Sequence, residues 1–182
     1  MSEIGCLTTP IAGLYLLSSK AFSDERGKFK KLLSKDVFDA FSLESNFVEL
    51  YYSINKKNVI RGMHFQLPPM DHVKMVYVIS GKILDVCIDL RKKSETYGKF
   101  FSCVLSGDDD QYIYIPKGIA HGFAVFEDNS IVHYAQTSCY SKAHDSGIKY
   151  DTFGFNWPVE NPIISERDKG FIGFENWTTE FK

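Results

Sequence analysis

Three side chains stand where their types and spacing can do chemistry. His64 and Lys74 fall in the stretch from Arg61 to Gly81, and His121 falls in Ile115-Pro116-Lys117-Gly118-Ile119-Ala120-His121-Gly122-Phe123. An imidazole moves protons near neutral pH, and a fixed ammonium stabilises an oxyanion. Those are the parts needed to abstract a proton next to a carbonyl. Taken singly, a histidine at a strand end is an ordinary structural residue and a lysine a solvated one. Lys74, however, is flanked by Val73, Met75 and Val76 and reads as pointing inward.

The spacing compares with a cupin barrel, a double-stranded β-helix. Its second motif, Pro-x-Gly-x-x-His, is matched fully by Pro116, Gly118 and His121. Its first motif is matched by His64 and Gly81, but Gln66 stands in place of the second histidine and Lys74 in place of the metal-binding carboxylate. An ammonium has no lone pair and repels a cation, so no metal and no cofactor are expected. His72, His133 and His144 lack motif support, and the last two read as surface or structural residues.

The elements that must position these groups are mainly strands. Phe47–Ile54, Val59–Phe65, Val73–Ile79, Ile83–Leu90, Lys99–Leu105, Gln111–Ile115, Phe123–Phe126 and Ile131–Thr137 are short, rich in β-branched and aromatic residues, and bounded by turn formers. Residues 11–19 read as a first strand, Asp24–Phe29 as a turn into a second, and Ser80-Gly81-Lys82 as a hairpin turn. Residues 34–41 form the best helix candidate, with Ser34 as N-cap. The fold class is therefore mainly β, a cupin-type jelly-roll barrel with a few short helices. From about residue 141 the alternation fades into an irregular packed tail.

At 182 residues the chain suits one domain, 1–182. A net charge of −2 gives no field for nucleic acid or anionic membrane, and no apolar run reaches the ~18 residues of a membrane helix. Cys6, Cys87, Cys103 and Cys139 form no CxxC pair and read as small core residues, with a reducing cytoplasm as the default compartment.

At this point many motifs in order resemble one family. Arg61-Gly62-Met63-His64-Phe65-Gln66, the Lys74 spacing, Asp85–Lys92 with Ser94, Thr96, Tyr97 and Gly98, Ile115–Phe123, Ser130–Tyr140, Gly147-Ile148, Trp157-Pro158 and Ser165-Glu166-Arg167-Asp168 look like the dTDP-4-dehydrorhamnose 3,5-epimerase family over roughly residues 8–175. The resemblance implies His64 as the base that removes a proton beside a C4 ketone, Asp168 orienting it and raising its basicity, and Lys74 on the C4 oxygen. It implies Tyr134 as the acid on the opposite face, His121 in the sugar pocket, Arg61 and Arg26 on the diphosphate, and Tyr140 at the nucleotide end. Phe29, Glu49, Gln66, His72 and Arg167 are implied as further substrate contacts. A homodimer is also implied, with an N-terminal strand exchanged and Arg26 reaching the neighbour's site.

Departures from the family pattern cluster outside the proton-transfer residues. Lys31 replaces a Glu, Glu49 and Tyr51 stand where Gln and Asn are usual, and His72 stands where Gln is usual. The expected function is epimerisation at C3, C5 or both of a nucleotide-diphosphate-linked 4-keto-6-deoxy sugar, the nucleotide being dTDP, CDP or GDP. A 3,4-ketoisomerase, a non-catalytic sugar- or nucleotide-binding cupin and a metal-dependent oxygenase are the rival readings.

Overall fold

A computed structural model describes residues 4–181. The strands run β1 (Ile4–Thr8), β2 (Tyr15–Ser19), β3 (Phe22–Asp24), β4 (Gly27–Phe29), β5 (Glu49–Asn55), β6 (Ile60–Gln66), β7 (Lys74–Ser80), β8 (Lys82–Asp89), β9 (Phe100–Ser106), β10 (Gln111–Ile115), β11 (Ile119–Val125), β12 (Ser130–Gln136) and β13 (Asp145–Gly147). Helix α1 spans Lys35–Ala40, and α2 spans Glu166–Lys169. A six-stranded antiparallel sheet, β1-β2-β10-β7-β12-β5, faces a five-stranded one, β13-β6-β11-β8-β9, and β3-β4 form a separate hairpin. This is the mainly β, cupin-type barrel anticipated above. Among the described residues no helix is long and apolar enough to cross a membrane.

The barrel interior follows from strand alternation. On β7, Val76 and Val78 point inward to join Ile83, Cys87, Ile113, Phe123, Val132 and Tyr134 between the sheets. Outward residues find other covers. Met75, Tyr112 and Tyr114 pack under α1 around Phe38, and Val86 and Ile88 pack beneath Ile148, Phe153 and Phe181 of the C-terminal segment. With both faces covered, β8 and β11 are almost continuously buried, which is why they read as apolar runs rather than alternating ones.

Four expectations need correcting. Residues 11–14 turn rather than extend, because Pro10 lacks a donor and Gly13 adopts φ +78°; an unanticipated strand, β1, pairs with β2 on the side away from β10. Ser80-Gly81-Lys82 is not a hairpin. It carries the chain from the larger sheet to the smaller, and β7 and β8 pair with different partners. The strand expected at Phe123–Phe126 begins at Ile119. The tail holds β13, α2 and a 3₁₀ turn at Phe174–Asn176. Ser34 does precede α1, although its side chain makes no capping hydrogen bond. The cysteines vary: Cys87 is buried, Cys6 and Cys103 are half-buried, and Cys139 is exposed.

Candidate active site

The smaller sheet brings two imidazoles side by side. His64 on β6 pairs with His121 on β11, and the register shifts between His121 and Phe123. The close approach behind that shift needs glycine: a Cβ on Gly62 would lie 2.5 Å from the Gly122 Cα. Both imidazoles bind a carboxylate through Nε2, His64 to Asp168 at 2.9 Å and His121 to Asp85 at 2.7 Å. Asp168 sits in α2, where its N–H donates to the Ser165 hydroxyl, and its second oxygen accepts from the Gly62 N–H at 3.1 Å. Phe171 packs edge-on against the His64 ring.

This pairing assigns the His64 tautomer. Burial alone would raise the Asp168 carboxyl, but the bonds from His64, Gly62 and Ser165 outweigh it and hold the group below its ordinary value. An ionised Asp168 accepts Nε2–H, so Nδ1 carries the lone pair. Desolvation lowers the His64 pKa despite Asp168, and the charges of Lys74 and Arg167 add to the lowering. The family resemblance anticipated raised basicity; here burial outweighs the carboxylate, and His64 is neutral at pH 7.

Lys74 on β7 and Tyr134 on β12 approach from the larger sheet, and with His64 and His121 they line one cavity of roughly 390 Å³. Lys74 is 8% exposed, and burial depresses its pKa from 10.5 to about 8 against the opposing influence of Cys87, Asp85 and Asp145. Its ammonium makes no hydrogen bond or ion pair among the described residues, so its three donors face the cavity. Tyr134 is buried and its phenol is driven up by desolvation. Tyr51 stacks on it at 4.7 Å and 18°, as its direct cross-strand neighbour, and the Tyr51 hydroxyl accepts from the Gln136 amide at 2.5 Å. Burial, with Glu49 and Asp145 nearby, pushes Tyr51 up to about 12.

The mouth is polar and internally braced. Glu49 accepts from the Tyr140 N–H at 2.6 Å, while Arg167 pairs with Asp145 at 2.7 Å. Gln66 lines the cavity, yet its amide is spent on the chain. Nε2 donates to the Met70 and Cys139 carbonyls at 3.0 and 3.1 Å, and Oε1 accepts from the Ser141 N–H at 2.6 Å. His72, next to it, is pushed down to about 3 by burial and by the Lys74 charge, so it is neutral. Arg61 opens onto the cavity with its Nε fixed on Asn55 at 2.7 Å.

Arg26 and Phe29 are not brought to this cavity. They sit on the β3-β4 hairpin, where Arg26 pairs with Asp24 at 2.6 Å and Phe29 is 63% exposed. His144 bonds the Ser141 hydroxyl, and the buried His133 Nδ1 has no partner among the described residues. Sequence reasoning did not name Ser53, Gln136, Asp145 or Asp85 as site residues. Period-two alternation from Glu49 through Tyr51 would have found Ser53, and Asp85, set amid the apolar residues of β8, would have pointed to a buried partner.

Comparison with known proteins places the chain in a family. A sequence model described as dTDP-4-dehydrorhamnose 3,5-epimerase matches residues 8–176. A protein of that name from Methanothermobacter thermautotrophicus is 38% identical, over 94% of this chain and 95% of its own. The crystal structure of dTDP-4-dehydrorhamnose 3,5-epimerase from Bacillus anthracis with TDP and PPi bound superposes with a TM-score of 0.91 at 33% identity, covering 94% of this chain and 99% of that one. A dTDP-6-deoxy-D-glucose-3,5-epimerase from Legionella pneumophila in complex with dTDP-4-keto-L-rhamnose gives a TM-score of 0.90 at 28% identity, covering 96% of this chain and 94% of that one. The matched span runs through every residue of the cavity wall, and the chain belongs to the dTDP-4-dehydrorhamnose 3,5-epimerase family, isomerases of deoxysugar biosynthesis.

Proposed function

We propose that this cavity inverts C3, C5 or both of a dTDP-linked 4-keto-6-deoxy sugar by proton abstraction and return through an enolate. The observation that carries the proposal is that His64 and Tyr134 enter one cavity from opposite sheets, with the Lys74 ammonium, unpaired among the described residues, lining the same cavity. His64 Nδ1 takes the proton next to the ketone, and Asp168 stabilises the imidazolium that results. Lys74, itself buried, donates to the C4 oxygen as negative charge develops there. Tyr134 returns a proton to the other face, which inverts the centre.

Arg61 binds the diphosphate, and His121, held by Asp85, packs against the sugar. Glu49, Tyr140 and Arg167 take the nucleotide end, while Gln66 and neutral His72 shape the pocket rather than donate to substrate. The dTDP nucleotide is favoured because the Bacillus anthracis relative binds TDP and the Legionella pneumophila relative binds dTDP-4-keto-L-rhamnose. The chain acts as one domain, since the segment after Ser141 supplies Asp145, Arg167 and Asp168 to the site. Four unpaired cysteines suit a reducing cytoplasm.

A homodimer accounts for two further features. Leu50, Tyr52 and Ile54 on the edge strand β5 are 64%, 64% and 58% exposed, an apolar stripe that a second copy would cover. The β3-β4 hairpin, far from needing its own cavity, would carry Arg26 and Phe29 to the neighbour's diphosphate and nucleotide.

The test is to incubate the protein with the 4-keto-6-deoxyglucose nucleotides of dTDP, CDP and GDP and follow products by NMR. Inversion with the dTDP substrate is expected. A migrated carbonyl would instead establish a ketoisomerase, and stoichiometric binding without turnover a binding protein.

A further inference from the structure

A relay of side chains runs from Arg61 on the smaller sheet, through Asn55 and Ser53 on β5, to Tyr134 on β12 of the larger sheet. The Arg61 Nε donates to Asn55 Oδ1 at 2.7 Å, Asn55 Nδ2 donates to Ser53 Oγ at 2.9 Å, and Ser53 Oγ lies 3.0 Å from the Tyr134 hydroxyl. From this geometry we propose that Ser53 and Asn55 are positioning residues that direct the Tyr134 proton into the cavity and receive the phenolate it leaves. The proposal rests on the reading of Tyr134 as the acid.

The direction of each bond follows from donor chemistry. A guanidinium has donors only, so the Asn55 atom facing it is the oxygen and the amide nitrogen faces Ser53. Asn55 is 2% exposed, and the same nitrogen also reaches the Ser53 and Ser130 carbonyls at 3.2 and 3.1 Å, which locks the amide. With its oxygen already accepting from Asn55, Ser53 has its single hydrogen available for the Tyr134 oxygen. The Tyr134 hydrogen then points to the substrate rather than into the sheet.

On transfer the Tyr134 O–H bond breaks and the proton joins the enolate carbon, using the enolate's electron pair. The C4 oxygen recovers its carbonyl double bond, and the negative charge moves to the phenolate, where the Ser53 hydroxyl already donates. Although burial drives the Tyr134 phenol up, the Ser53 bond and the Arg61 charge both pull it down, as a device for holding the phenolate should.

The experiment measures two quantities in heavy water with the dTDP substrate: deuterium wash-in with retained configuration, and inversion. When the acid fails, His64 still removes a proton and returns a deuteron to the same face. For Ser53→Ala the ratio of retained wash-in to inversion should rise by about tenfold, with KM changed less than about twofold, since hydrogen bonds to charged groups are the strong ones. Asn55→Asp should act the same way, because a carboxylate draws the Ser53 hydrogen away from Tyr134. Ser53→Thr keeps the hydroxyl and should restore the wild-type ratio. An unchanged ratio with a raised KM in Ser53→Ala would overturn the relay and make Ser53 a substrate contact. Wild-type protein showing neither wash-in nor inversion would overturn the epimerase reading itself, an outcome visible before any variant is made.

Discussion

Two imidazole–carboxylate pairs lie next to each other on the smaller sheet, and they differ in one respect that matters. The bonds are alike, 2.9 Å for His64–Asp168 and 2.7 Å for His121–Asp85. The His64 side chain is 28% exposed, whereas those of His121 and Asp85 are 4% and 0% exposed. A base has to meet substrate and exchange its proton with solvent, and only His64 is open to both. The more deeply buried pair resembles the rest of the core, where an unmatched polar group costs stability. Under the proposed function, equal geometry would serve unequal roles: chemistry at one pair, shape and stability at the other.

The strongest way to break that contrast is to delete each ring. His64→Ala should lower the epimerisation rate by about 10³-fold or more, within the reach of acid–base catalysis, while His121→Ala costs about tenfold. Equal losses in steady-state assays would remove the distinction. The carboxylates separate the roles further. Asp168→Asn preserves shape but favours the wrong His64 tautomer and should cost about 10²-fold in rate with little change in thermal unfolding. Asp85→Asn should do the reverse, lowering stability by about 2 kcal/mol in denaturant melts and rate by less than about tenfold.

The pH profile of kcat/KM sharpens the same contrast. His64 must be neutral, so the rate rises with pH through a value below 6.5. Lys74 must be charged, so the rate falls as pH climbs through about 8. Stability responds with the opposite sign on that side. Between about 8 and 10.5 the unfolded state binds the Lys74 proton and the folded state does not, so the Lys74 contribution to stability improves as pH rises. Lys74→Met should abolish turnover yet raise stability at pH 7 by up to about 3 kcal/mol, and the pH-dependent gain should vanish. The smallest expected effect is at Tyr51. Tyr51→Ala removes a stacking partner of Tyr134 and should cost about 1 kcal/mol, seen as a several-fold drop in kcat.

Much of this was legible in the chain itself. The strands of the barrel announced themselves as apolar runs, and the inward turn of Lys74 followed from its neighbours Val73, Met75 and Val76. The passage at Ser80-Gly81-Lys82 was not legible, because a glycine with positive φ serves a hairpin and a crossing between sheets equally well. The link from His64 to Asp168 joins distant parts of the sequence, and no local periodicity encodes it; only the family resemblance pointed there. Gln66 shows the limit of motif position. It holds a ligand's place in the first cupin motif, yet its amide is consumed by Met70, Cys139 and Ser141.

The central claim is that base and acid work from opposite sheets. Tyr134→Phe in heavy water tests it most directly, with NMR of the dTDP-linked 4-keto sugar as the readout. The account predicts deuterium at the exchanging carbon with configuration retained, and inversion reduced by about 10²-fold. Inversion at the wild-type rate, or wash-in lost together with inversion, would contradict it.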